Sequence, residues 1–138
     1  MLKIVCIGNC FHESDNLGYR VYNFLLKYRV PENVKLVYGG LAGLDLAIHL
    51  KDAKRVVFVD SLLGFNQTDE VVILDYKTVS SLADSFGHSA GLPYLFYMAR
   101  YIFDGCLPDM FVVGAEHNLA NVELVAEKAL EAVLNGRR

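Results

Sequence analysis

Basic runs, paired cysteines and long apolar stretches are all missing from this chain, and each absence closes off a class of function. Its 13 Lys and Arg are outnumbered by 16 Asp and Glu, for a formal net charge of −3 and a pI of about 5.7. No stretch is basic enough to track a phosphate backbone, which argues against a nucleic-acid partner. Cys6, Cys10 and Cys106 make an odd set without a CxxC spacing, so neither a disulfide framework nor a zinc ribbon is expected. The most apolar helical stretch, Leu92 to Phe103, is broken by Arg100 and falls short of the roughly 20 residues that a bilayer span needs. A strand that begins almost at Met1 leaves no room for a signal peptide. The expectation is a soluble, cytoplasmic protein that does not insert into membranes. Gly8-Asn9 follows a strand as a phosphate loop does, but neither a GxGxxG nor a Walker sequence is present, which argues against a small Rossmann-like nucleotide binder. Ser61 lacks a GxSxG context, so a serine triad is not expected. There are no repeats, no low-complexity segment and no linker.

What is present fits one domain over residues 1–138, within the usual range of roughly 100–200 residues, and 54% of the residues are apolar, enough for a sizeable core. The organising stretch is Arg55 to Gly64, RVVFVDSLLG. Its continuous run Val56-Val57-Phe58-Val59 suits a strand buried on both faces of a parallel sheet. Before it come a strand at Leu2–Ile7, a polar loop, a helix at about Gly18–Arg29 stopped by Pro31, and a second strand at Val34–Tyr38 broken by Gly39-Gly40. A short helix then carries Leu41, Leu44, Leu46, Ile48 and Leu50. After the central strand, Glu70–Leu74 reads as a fourth strand. The gap before it is too short for a helical crossover, so this strand is expected to run antiparallel, at an edge. Asp75 to Gly87 reads as irregular. A well-buried helix at about Ala90–Phe103, a last strand at Met110–Val113 and a closing helix at about Leu119–Leu134, stopped by Gly136, complete the chain. The tyrosines and phenylalanines read mostly as core. The order β-α-β-α-β-β-α-β-α describes an α/β fold, a three-layer α/β/α sandwich whose five-stranded sheet is mostly parallel with one antiparallel strand.

In such sheets ligands sit outside the carboxyl ends of the strands. Asp60 ends the central strand there, Asp15 follows the first strand, and His88 precedes a helix. Each also has a bland role: Asp60 as a turn or helix cap, Asp15 with Asn16 as the cap of the first helix, His88 as a loop residue. Two carboxylates and an imidazole suit a borderline divalent ion such as nickel or zinc. A helix N-terminus beside His88 disfavours the imidazolium and so favours the ligand form. Glu116 and His117 end a strand and are weaker candidates, equally readable as helix-start polar residues. His12 reads as surface and His49 as structural.

Six motifs, in order, carry a family resemblance: IVCIGN at the start, SDNLG in the first loop, GGLAGLDL after the second strand, VVFVDSLLG in the centre, GHSAGL before the third helix and VVGAE near the end. Together the chain resembles the hydrogenase maturation proteases, endopeptidases that trim the C-terminus of the nickel-bearing large subunit of nickel–iron hydrogenases. The resemblance implies a metal site at Asp15, Asp60 and His88, which would also be the catalytic set. It implies docking on an immature large subunit already loaded with nickel, so that the metal arrives with the substrate rather than with the free enzyme. The chain departs from the family pattern at Ser14, at Phe65-Asn66-Gln67 and at Ala115-Glu116-His117. Those altered loops motivate a second reading, a non-catalytic nickel-centre binding or checkpoint protein of hydrogenase assembly.

Overall fold

The structure is a computed structural model and describes residues 1–8, 11, 16–41, 43–61, 71–81, 91–115 and 121–136. The strands β1 (Leu2–Ile7), β2 (Val34–Gly40), β3 (Arg55–Ser61), β4 (Val72–Asp75) and β5 (Asp109–Ala115) form one sheet in the order β2-β1-β3-β5-β4. The β1–β2, β1–β3 and β3–β5 pairs are parallel, and β4 lies antiparallel against β5 at one edge. The expected sandwich with one antiparallel edge strand is therefore the observed fold. Its helices are α1 (Leu17–Tyr28), α2 (Tyr76–Ser81), α3 (Gly91–Ile102) and α4 (Val122–Asn135), with a 3-10 turn at Leu44–His49.

Period-two alternation on strands buried on both faces divides the core. Ile4, Cys6, Val57, Val59 and Val113 face α1 and α4, meeting Leu17, Val21, Leu25, Val125 and Ala129. Val5, Ile7, Val56, Phe58 and Val112 face the other layer, meeting Leu46, Leu50, Val79, Leu95 and Phe96. Phe58 and Phe96 meet with ring centroids 5.5 Å apart, so β3 is locked to α3 through two aromatic side chains that are fully buried. At the end of α4 the Gly136 N–H donates to Ala132 O, as expected of a helix stop.

Several local expectations are corrected. The stretch read as irregular contains α2, because Asp75 accepts a hydrogen bond from Thr78 N–H at 2.8 Å and caps the helix start. Val79 is fully buried beneath it, and Tyr76 stacks on Phe96 with centroids 5.9 Å apart. Asp75→Ala is expected to cost about 1 kcal/mol, the usual value of such a cap, and chemical denaturation will read it as a lower midpoint with unchanged slope. Gly39 and Gly40 do not break β2. They belong to it, and Gly40 adopts φ +70 where the β1–β2 register shifts. The helix expected after them is a 3-10 turn whose apolar residues alternate: Leu46 and Leu50 point inward, Leu44 and Ile48 outward. α3 buries only one face. Leu92, Leu95, Phe96 and Ala99 lie on the sheet, while Tyr94, Tyr97, Tyr101 and Ile102 are exposed, because a helix in an outer layer has a single covered side. The tyrosines are not fully buried: all the described ones keep part of their surface in water, and Tyr22, Tyr38 and Tyr76 pack against the core from its margin.

Candidate active site at the carboxyl edge of the sheet

β3 carries a buried run from Val56 to Val59 and then turns polar, which brings Asp60 to the carboxyl edge, half-buried in the strand's last residues. Asp60 lies opposite Gly114 of β5, and its Oδ1 accepts a hydrogen bond from Ser61 N–H at 2.8 Å. That contact fixes the carboxylate against its own strand end.

On the neighbouring strand, β1 ends at Ile7 and the chain leaves through Gly8. Gly8 N–H donates to Gly40 O at 2.7 Å, and the Tyr38 hydroxyl donates to Gly8 O. Beyond residue 11 the chain is next described from Asn16, whose carbonyl accepts from Arg20 N–H at 3.0 Å to start α1. The expected capping role of the Asn16 side chain is not observed. It makes no cap hydrogen bond, and its Oδ1 is buried without a partner among the described residues. Gly18 sits directly against β1: a Cβ there would lie 1.9 Å from Ile7 O. That contact needs glycine and sets α1 close over the end of β1.

Asp60 is thus placed at the edge where a crevice is expected. Asp15 and His88 lie outside the described residues, as do His12, Glu116 and His117. Among the described residues no group of three or more His, Cys, Asp or Glu side chains could hold a metal ion.

Other titratable groups have structural explanations. Burial pushes the Cys6 thiol well above its ordinary value, which leaves it protonated and unreactive at neutral pH. His49 is half-buried on the 3-10 turn. Burial lowers its pKa first, and Lys3 and Lys35 lower it further against the opposing pull of Asp45. It lies among groups near the amino ends of β1 and β2, away from Asp60, in keeping with the structural role read for it. Lys3, the buried charged residue on β1, has its pKa lowered by burial and by Lys35 and reaches Lys51 O at 3.5 Å. What sequence reasoning missed is Tyr38. Its contact with Gly8 joins residues on different strands, and no local pattern announces it.

No protein-family model matches the chain. The hydrogenase expression/formation protein HupD of Bradyrhizobium diazoefficiens is 34% identical over 62 residues, which are 44% of this chain and 32% of that protein. The match thus spans about a third of the relative's length. Among solved structures, the hydrogenase maturating endopeptidase HybD from E. coli superposes with a TM-score of 0.72 at 24% identity, over 96% of this chain and 88% of that one. A hydrogenase 2 maturation peptidase from a Thaumarchaeota archaeon gives 0.60 at 26% identity, over 96% and 94%. The hydrogenase maturation protease HycI from Thermococcus kodakarensis gives 0.70 at 19% identity, over 96% and 92%. The resemblance read in the sequence is borne out, and it extends to the whole fold. Among the described residues no helix is long and apolar enough to cross a membrane.

Proposed function

We propose that this chain, which resembles the hydrogenase maturation proteases in sequence and fold, is an endopeptidase of hydrogenase maturation. Its reaction is removal of the C-terminal extension from a nickel-loaded large-subunit precursor, with water added across one peptide bond. The observation that supports this reading is Asp60: a carboxylate held at the carboxyl end of the central strand, in the fold that those proteases share.

In this reading Asp15, Asp60 and His88 coordinate nickel that arrives in the precursor. Their oxygens and single nitrogen include no thiolate, so they compete poorly with a cysteine-rich site for a borderline ion. They complete the coordination of a metal already inserted rather than capture it from solution. The nickel belongs to the substrate and acts as a recognition handle. It brings the C-terminal segment to the crevice, and the carboxylates lie beside the bond to be hydrolysed.

The test is a pair of reactions on metal-free and nickel-loaded precursor, followed by intact-mass measurement. Loaded precursor is expected to lose its C-terminal segment. Metal-free precursor is expected to resist cleavage even when the protein is preincubated with nickel. Equal cleavage of both would sink the handle and leave an ordinary carboxylate-dependent peptidase. A stable complex with loaded precursor and no mass loss would favour the non-catalytic checkpoint.

A further inference from the structure

We propose that the outer face of α3 is a docking surface for the body of the hydrogenase large-subunit precursor, engaging a carboxylate-bearing, partly apolar patch of that partner independently of nickel. The inference rests on the function proposed above and names a surface that holds the substrate.

An outer-layer helix needs apolar residues only on its covered side, and its other side is ordinarily charged or polar. α4 follows that rule: its exposed face carries Glu123, Glu127 and Glu131. α3 does not. Its exposed residues, among those described, are Tyr94, Tyr97, Arg100, Tyr101 and Ile102, with no carboxylate and no lysine. The three tyrosines keep 49%, 42% and 61% of their surface in water. At i, i+3 and i+7 they form one stripe along the helix. Apolar residues exposed singly need no explanation, but a stripe of them marks an interaction surface. The outward-facing Leu44 and Ile48 lie on the 3-10 turn that packs beside α3, and they extend it. Tyrosine and arginine are also residue types enriched where interfaces are strongest.

Charge sets the kind of partner. The Arg100 guanidinium lies 5.0 Å from the Tyr97 ring centroid and 5.5 Å from that of Tyr101, and its Nε–H donates to Tyr97 O at 3.4 Å. The rings hold the one cation of α3 in place. Among the described residues no carboxylate pairs with it. A planar fork held against two aromatic rings is a receptor for a carboxylate. The same charge disfavours a second copy of this chain, since two such faces meeting would set Arg100 against Arg100. α3 runs toward the amino end of β5, away from the edge that carries Asp60. Contacts on its outer face therefore bind the precursor without touching the reacting bond.

The experiment measures binding of wild-type protein, Tyr97→Ala, Tyr101→Ala and Arg100→Glu to metal-free and nickel-loaded precursor, with steady-state cleavage of the loaded form. These side chains are exposed, so thermal midpoints should stay within a few degrees of wild type. Tyr28→Ala is the control, a comparably exposed tyrosine (67%) on α1 in the opposite layer. Each α3 variant is expected to weaken both precursors by the same factor, roughly tenfold for a tyrosine and more for the charge reversal. KM should rise with kcat unchanged, as for an interaction made equally in the ground and transition states. Unchanged affinity in the α3 variants overturns the proposal. So does an equal loss in Tyr28→Ala, or a loss confined to the loaded form. Self-association that Tyr101→Ala abolishes while precursor binding stays unchanged gives the face to a second copy and overturns it too. Wild-type protein that binds neither precursor overturns the surface as assigned. Wild-type protein that binds both and cleaves neither defeats the protease reading instead, and the binding constants of the variants still decide the surface.

Discussion

Asp60→Asn is expected to abolish processing of the nickel-loaded precursor while the fold stands. The two side chains have the same shape. Asparagine can turn its oxygen toward Ser61 N–H and keep the 2.8 Å contact that Asp60 makes. The buried run beneath it, Val56 to Val59, is untouched, so stability should move within the roughly 0.5 kcal/mol typical of substitutions outside a core. What disappears is the negative charge. An amide oxygen is a poor ligand for a divalent ion and cannot take up a proton from water. The expected loss is roughly 10²–10⁴-fold, the range for removing a positioned acid–base or charge-stabilising group. Intact-mass kinetics on loaded precursor will read it, with circular dichroism and a thermal melt as controls. A wild-type rate from a folded variant would remove Asp60 from the chemistry.

Asp60 was legible in the sequence because a change in chain character marks it. Four apolar residues in succession give way to a carboxylate, and a strand buried on both faces cannot carry one inward without a partner. The same logic made β1 and β3 readable. The antiparallel edge strand followed from the gap after the central strand, although its partner turned out to be β5, far along the chain, and not β3 beside it in sequence. The candidate ligands Asp15 and His88 rest on motif position and chain order. Other features were hidden for physical reasons. The helix α2 is a few residues long, and its cap, Asp75, also ends a strand, so neither periodicity nor punctuation stands out. The 3-10 turn buries alternate residues, a pattern that a helical reading misplaces. The Tyr38–Gly8 contact spans 30 residues and depends on how β1 and β2 pair, which single-chain patterns do not encode. Exposure of Tyr94, Tyr97 and Tyr101 depends on what covers the outer face of α3, a matter of tertiary arrangement alone.

Gly18→Ala is expected to be among the most damaging single substitutions, against the intrinsic preference of the helix it sits in. In a free helix this change stabilises by about 1 kcal/mol. Here the new Cβ would stand 1.9 Å from Ile7 O and 2.6 Å from both Ile7 C and Ile7 N. All three are backbone atoms of β1, which is paired on both sides, by β2 and by β3. No side chain can swing away to make room. The helix must lift instead, and it carries Leu17, Val21 and Leu25, which are 0%, 0% and 1% exposed. Overpacking of this kind costs about 3 kcal/mol or more, a large share of the roughly 5–15 kcal/mol that holds a domain together. The thermal midpoint should fall by about 10 °C. Below that midpoint processing should remain depressed, because lifting α1 moves the end to which the Asp15 segment returns. Differential scanning calorimetry with processing assays at low temperature will test both parts. A midpoint equal to or above that of the wild type would show that α1 has room over β1, and the close packing that sets this side of the crevice would have to be abandoned.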